Sequence, residues 1–143
     1  MQYLLDTVTV VRHFAGTGKI GRKAACILDS IEESDDVLFI SIISLMEIMY
    51  LSEKNRITVN LRDTLKRVQN SSKYMIADLD SDILRTAETV NFSELHDRLI
   101  LATAKWLDIP VISSDKEFKR VQILLSPNSN NIIYFNTRCY GCI

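Results

Sequence analysis

Hydrophobic positions along this chain fall into short unbroken runs separated by longer segments of helical spacing. The unbroken runs lie at residues 2–6, 37–40, 74–77, 110–113 and 132–135. Such runs mark strands covered on both faces, whereas strict alternation would mark a half-exposed sheet. Between them, residues 19–33 place Ile20, Ala24, Ile27, Leu28 and Ile31 on one helical face and Lys19, Arg22 and Lys23 off it. Ser41 has the chemistry of an N-cap for a helix over 42–54, which is apolar nearly throughout but carries Glu47 inside it. Residues 58–71 predict a second amphipathic helix, basic on its outer face. Asp80 or Ser81 caps a helix over 82–90, and Ser93 caps the helix that follows. Residues 7–14 fit two states: their β-branched side chains suit a strand, and their place after Asp6 suits a short helix. A short helix over 115–121 and a loop over 127–131 complete the chain.

Strands alternating with helices predict an α/β fold, a three-layer α/β/α sandwich around a mostly parallel sheet of about five strands. With 143 residues and no repeat, low-complexity tract or linker, residues 1–143 read as a single domain. The formal net charge of −1 argues against holding nucleic acid by bulk electrostatics and leaves room for a local basic groove. Three cysteines fit a reducing, cytoplasmic setting better than a disulfide framework. The first residues have no basic region ahead of their apolar ones, so they do not read as a leader. The longest apolar run, 37–51, is broken by Glu47 and too short to cross a bilayer. The expectation is a soluble protein.

Four acids share one structural context. Asp6 follows the first strand and Asp115 the fourth, while Glu47 and Asp97 lie in the opening turns of helices. In a parallel α/β layer those positions are one edge, where such sheets bind ligands. Each acid alone has a plain structural reading as a cap, a helix start or a partner for arginine. Gathered, they conflict: two carboxylates about 4 Å apart repel by roughly 4 kcal/mol at an effective dielectric near 20. A helix N-terminus offsets only about 0.3–1 kcal/mol. A divalent cation offsets more, and hard oxygen ligands without thiolate or imidazole suit Mg²⁺ or Mn²⁺. The chemistry this permits is metal-assisted attack of water on a phosphodiester.

Through the same residues the sequence resembles the PIN-domain nucleases, in particular the VapC-type toxins of toxin–antitoxin pairs. The family's opening, an apolar strand followed by Asp-Thr/Ser, is matched by Leu4-Leu5-Asp6-Thr7, and its second motif by Ser41, Ser44 and Glu47. Its third, Asp-x-x-Ile-x-Ala-x-Ala, is matched by Asp97, Ile100, Ala102 and Ala104. Its fourth, a strand ending in Thr/Ser-x-Asp-x-x-Phe, is matched by Ser113, Asp115 and Phe118. The resemblance implies a PIN-like fold and an endoribonuclease in which Asp6, Glu47, Asp97 and Asp115 are catalytic acids that bind one or two Mg²⁺ or Mn²⁺ ions. Ser113 would orient the site, and Glu117 falls where some members carry an additional acid. It also implies an RNA substrate and a small antitoxin that occludes the site. Val8 stands where the family often has asparagine, which removes a polar group from the surroundings of Asp6.

Other signals carry less. Gly16, Gly18 and Gly21 spell G-x-G-x-x-G, but they do not follow the first strand at once and no acid ends the second, so a turn opening a helix explains them. A receiver-like module with Asp78 as phosphoacceptor would need paired acids after the first strand, where Asp6 stands alone. A housekeeping PIN nuclease without an antitoxin, and a degenerate PIN scaffold, are the remaining alternatives. His13 and His96 read as satisfied or exposed histidines rather than bases. Arg56, Arg62, Lys66, Arg67 and Lys73, with Lys19, Arg22 and Lys23, read as solvated helix faces that could line an RNA path. Met46, Met49, Tyr50 and Trp106 read as core or as a homodimer face. Cys139 and Cys142 have no partner pair for a zinc site.

Overall fold

A computed structural model describes residues 1–113, Phe118 and strand residues 132–134. In chain order the elements are β1 (Gln2–Leu5), α1 (Thr7–Ala15), α2 (Arg22–Asp29), β2 (Val37–Ser41), α3 (Ile42–Glu53) and α4 (Leu61–Gln69). There follow β3 (Tyr74–Ala77), α5 (Ser81–Glu88), α6 (Leu95–Leu107), β4 (Val111–Ser113) and β5 (Ile132–Tyr134). The five strands form one parallel sheet in the order β3-β2-β1-β4-β5. The first strand is therefore the centre of the sheet, with Leu4 opposite Phe39 on one side and Val111 on the other.

The pleat of a strand sends successive side chains to opposite faces, and the core divides accordingly. Leu4 and Val111 join Ile100, Leu101, Ala104, Ile83 and Phe118 beneath α5 and α6. Tyr3, Leu5, Leu38, Ile40 and Ile112 join Val10, Leu28, Ile48 and Val68 beneath α1 to α4. Both faces of the central strands are covered, which is why those strands read as unbroken apolar runs. This is the three-layer sandwich expected.

The ambiguous segment after Asp6 is a helix. Asp6 adopts an extended backbone, and its carboxylate accepts from the Thr9 amide at 2.8 Å, a cap that outweighs the β-branched composition of α1. The glycine run ends one helix and starts the next: Gly16 closes α1 with φ 68°, and Gly21 is the N-cap of α2. The helix expected over 19–33 is accordingly shorter, Arg22–Asp29. The helix expected over 58–71 begins only at Leu61, because Asn60 caps it by accepting from Asp63 N at 2.9 Å. The cap before α6 is Glu94 rather than Ser93, its side chain taking the Asp97 amide at 2.7 Å. Carboxylates cap as hydroxyls do, by accepting an orphan amide. The short helix expected over 115–121, the loop over 127–131, and Cys139 and Cys142 lie outside the described residues, Phe118 excepted.

His13 on α1 is half-buried against Phe14 and Tyr74, with its Nε2 2.8 Å from the Tyr74 hydroxyl. Burial foremost, and then the nearby Arg67 charge, lower its pKa to about 4 against a weaker opposing pull from Asp29. Between pH 6.5 and 4 the unfolded chain takes up a proton at this ring and the folded chain does not, so stability falls as the pH drops through that window. At about 1.4 kcal/mol per unit, and discounted for the solvent that still reaches the ring, the loss is about 2 kcal/mol. Urea unfolding of the parent and of His13→Gln across this range gives a difference that grows toward acid in favour of the variant. A constant difference would show that His13 titrates normally.

Candidate active site

The strand order places a topological switch at β1, whose neighbours β2 and β4 lead to opposite sides of the sheet. The crevice outside the carboxyl ends of the strands at such a switch is where open α/β sheets bind ligands. Asp6 follows β1 and Ser113 ends β4, so the two residues face one another across this crevice. Asp6 is 5% exposed. Its Oδ1 accepts the Thr9 amide, and its Oδ2 accepts the Ser113 hydroxyl at 2.5 Å. The Asp6 amide donates to the Ile112 carbonyl at 3.1 Å, and the Thr9 hydroxyl bonds the same carbonyl at 3.3 Å. Helix start and strand end thus hold one carboxylate in one orientation. The structural role anticipated for Asp6, starting a helix, is real, and it leaves the carboxylate buried at the sheet edge.

Thr7, the first residue of α1, links this corner to α3. Its hydroxyl lies 2.7 Å from Glu47 Oε1 and 2.9 Å from the Ser44 hydroxyl. Ser44 is fully buried and Thr7 nearly so, while the Glu47 side chain keeps 25% of its surface exposed. Among the described residues the basic group near Glu47 is not an arginine but His96, with Nδ1 3.9 Å from Oε2. The same nitrogen lies 3.5 Å from Glu94. Through this contact the first turn of α6 stands beside the second turn of α3. Asp97 lies in that first turn, half-buried, ahead of the fully covered Ile100, Leu101 and Ala104.

The structure therefore brings together Asp6, Ser113, Glu47 and the turn that bears Asp97. Asp115 and Glu117 lie outside the described residues. Among the described residues, no group of three or more histidine, cysteine, aspartate or glutamate side chains is close enough to hold a metal ion. The chemistry of the donors fits a hard divalent cation: the buried Asp6 carboxylate is held by the Thr9 amide and the Ser113 hydroxyl, and Glu47 is held through one oxygen by the Thr7 hydroxyl. The link through Thr7 and the approach of His96 are features sequence reasoning did not reach. The spacing did hold a signal for the first, since Ser44 and Glu47 are three apart and share a helical face. Asp78, exposed after the edge strand β3, stands apart from this corner in the sheet order.

A parallel α/β layer with a buried carboxylate and converging hydroxyls at its switch point defines the class of open α/β folds that bind ligands at that edge. The sequence pattern of the PIN domain matches residues 3–124, most of the chain. This chain belongs to the PIN domain family, whose members are nucleases. A receiver-like module is excluded by that membership. No curated protein matches the sequence. Among solved structures, the chain is similar in fold to VapBC2 from Rickettsia felis bound to a DNA fragment from its promoter, with a TM-score of 0.66 and 16% identity over 95% of this chain and 100% of that one. DNA-bound VapBC from Salmonella typhimurium gives 0.63 and 18% over 95% and 99%. A toxin–antitoxin complex from Klebsiella pneumoniae gives 0.58 and 21% over 92% and 95%. Among the described residues no helix is long and apolar enough to cross a membrane.

Proposed function

We propose that this protein is a Mg²⁺- or Mn²⁺-dependent endoribonuclease and the toxin of a toxin–antitoxin pair, with Asp6, Glu47, Asp97 and Asp115 as its metal-binding, catalytic acids. The observation that carries the reading is the Asp6 carboxylate, buried at the β1–β4 switch with both oxygens oriented by protein donors. A bound cation supplies Lewis acidity to phosphodiester hydrolysis. The residues of the chain supply the rest. Asp6 is held by Thr9 and Ser113, Glu47 by Thr7, and Asp97 enters from the first turn of α6. Ser113 acts by orienting Asp6, and Glu117 is a further acid two positions past Asp115.

An antitoxin partner is supported by the kind of complex to which the fold is similar. A homodimer is supported by the apolar face of α3, where Ile42, Met46, Met49 and Tyr50 recur at helical spacing and are each more than a third exposed. The basic residues of α4 and of the loop before it, Arg56, Arg62, Lys66 and Arg67, are exposed and would attract an RNA backbone. With this chemistry the protein would work in the cytoplasm.

A mixed RNA pool incubated with the protein is cut when Mn²⁺ or Mg²⁺ is present and left intact under a chelator. Asp97→Asn, folded to parental stability, cuts at least about tenfold more slowly. Cleavage that survives chelation, or a variant as fast as the parent, overturns the assignment. Expression in cells arrests growth, and co-expression of a small protein encoded beside it restores growth. Unrestored growth leaves a nuclease without an antitoxin.

A further inference from the structure

A glutamate in the second turn of a helix has three rotatable bonds, and on a partly exposed face nothing obliges it to point one way. Glu47 is obliged. The Thr7 hydroxyl has one proton, and the Glu47 carboxylate can only accept, so Thr7 donates to Oε1 at 2.7 Å. The 2.9 Å contact between Thr7 and Ser44 is then a bond in which the Ser44 hydroxyl donates to Thr7. Ser44 is fully buried and Thr7 8% exposed, so both hydroxyls are shielded from water. Thr7 is β-branched and stiff about its first torsion, and it is joined by one peptide bond to Asp6. The backbone that orients Asp6 therefore also carries the donor that orients Glu47. The other oxygen, Oε2, is the one turned toward His96 and the α6 turn that bears Asp97.

We infer that Thr7, backed by Ser44, is a positioning residue that fixes Oε1 of Glu47 and leaves Oε2 facing the α6 turn that bears Asp97, setting the spacing of two acids from one dipeptide. This rests on Glu47 being a metal ligand, as proposed above. A purely structural role predicts something different: the hydroxyl pair would satisfy buried polar groups, and its loss would lower stability without regard to Glu47.

The test is Mn²⁺ titration of the full chain by calorimetry, with thermal melting of each variant alongside. Glu47→Gln weakens Mn²⁺ binding at least about tenfold, and Thr7→Val weakens it about ten- to thirtyfold. Thr7→Ser, which restores the hydroxyl, stays within about threefold of the parent. In the Glu47→Gln background, Thr7→Val adds less than about twofold, because the group it positions is already changed. If Glu47→Gln weakens binding and Thr7→Val does not, the positioning role is overturned and the metal-site reading stands. If Glu47→Gln binds as the parent does, the reading of Glu47 falls and this inference with it. Equal losses for Thr7→Val with and without Glu47 mean a structural hydroxyl, and equal losses for Thr7→Val and Thr7→Ser mean that the methyl group rather than the hydroxyl matters; either result overturns the inference. Should Thr7→Val not fold, Ser44→Ala decides: weakening of about three- to tenfold supports the relay, and parental affinity overturns it.

Discussion

Asp6→Asn yields a folded protein that cleaves RNA about a thousandfold more slowly than the parent, a loss of the size seen when one preorganised charged or hydrogen-bonding group is removed from a reacting centre. The fold survives because the substitution is nearly isosteric and asparagine caps helices as well as aspartate does. Its side-chain oxygen can keep the Thr9 amide, and its side-chain amide can donate to the Ser113 hydroxyl in place of the bond that Asp6 Oδ2 now accepts. The charge is what disappears. Cleavage rates in Mn²⁺, compared with urea unfolding of the same two proteins, separate the roles: stability within about 1 kcal/mol of the parent is expected beside the collapsed rate. A rate within tenfold of the parent would mean that Asp6 is only the N-cap of α1.

Phe118→Ala lowers stability by about 3–5 kcal/mol, the cost of leaving an aromatic-sized void in a packed interior. Phe118 is fully buried and meets Phe92 edge to face, with ring centroids 5.4 Å apart at 82°. It belongs to the cluster formed with Leu101, Ile100, Val111 and Ile83, so it closes the α5–α6 layer against the sheet. Phe118→Leu, which keeps part of the volume, costs less, roughly 1–2 kcal/mol. Urea denaturation midpoints and slopes for the two variants check the order. A loss below about 1 kcal/mol for the alanine variant would show that residue 118 does not seal this layer. Phe118 also stands three positions past Asp115 in the fourth family motif. A buried anchor at that distance is a reason for the motif to end in phenylalanine.

The two predictions sample the two kinds of information the chain carries. Local patterns made the elements legible: the unbroken run over 37–40 read as a strand covered on both faces, and Ser41 before an apolar helix read as its cap, which β2 and α3 bear out. Helix boundaries were less legible, because several neighbouring residues can cap. Ser93 and Glu94 both offer an oxygen to the first turn of α6, and which one accepts the Asp97 amide depends on how the chain leaves α5. Residues 7–14 were undecided for a similar reason. Their β-branched composition favours a strand by itself, and the helix wins through the Asp6 cap and the burial of Thr9 and Val10.

By itself, then, the sequence determined the class of fold, the order of strands and helices, and the acids that head them, since periodicity and capping are properties of a few consecutive residues. Asp6 and Asp97 are marked in that way by their own neighbours in the chain, with no reference to what they touch. The tertiary structure alone decided which of these groups meet. Asp6 and Ser113 are 107 positions apart and touch because β1 and β4 are neighbours at the switch of the sheet. Thr7 and Glu47 are 40 apart and touch because α1 crosses to meet α3. No periodicity encodes such contacts: a hydrogen bond needs its atoms within about 3 Å, and only the packing of elements fixes distances on that scale.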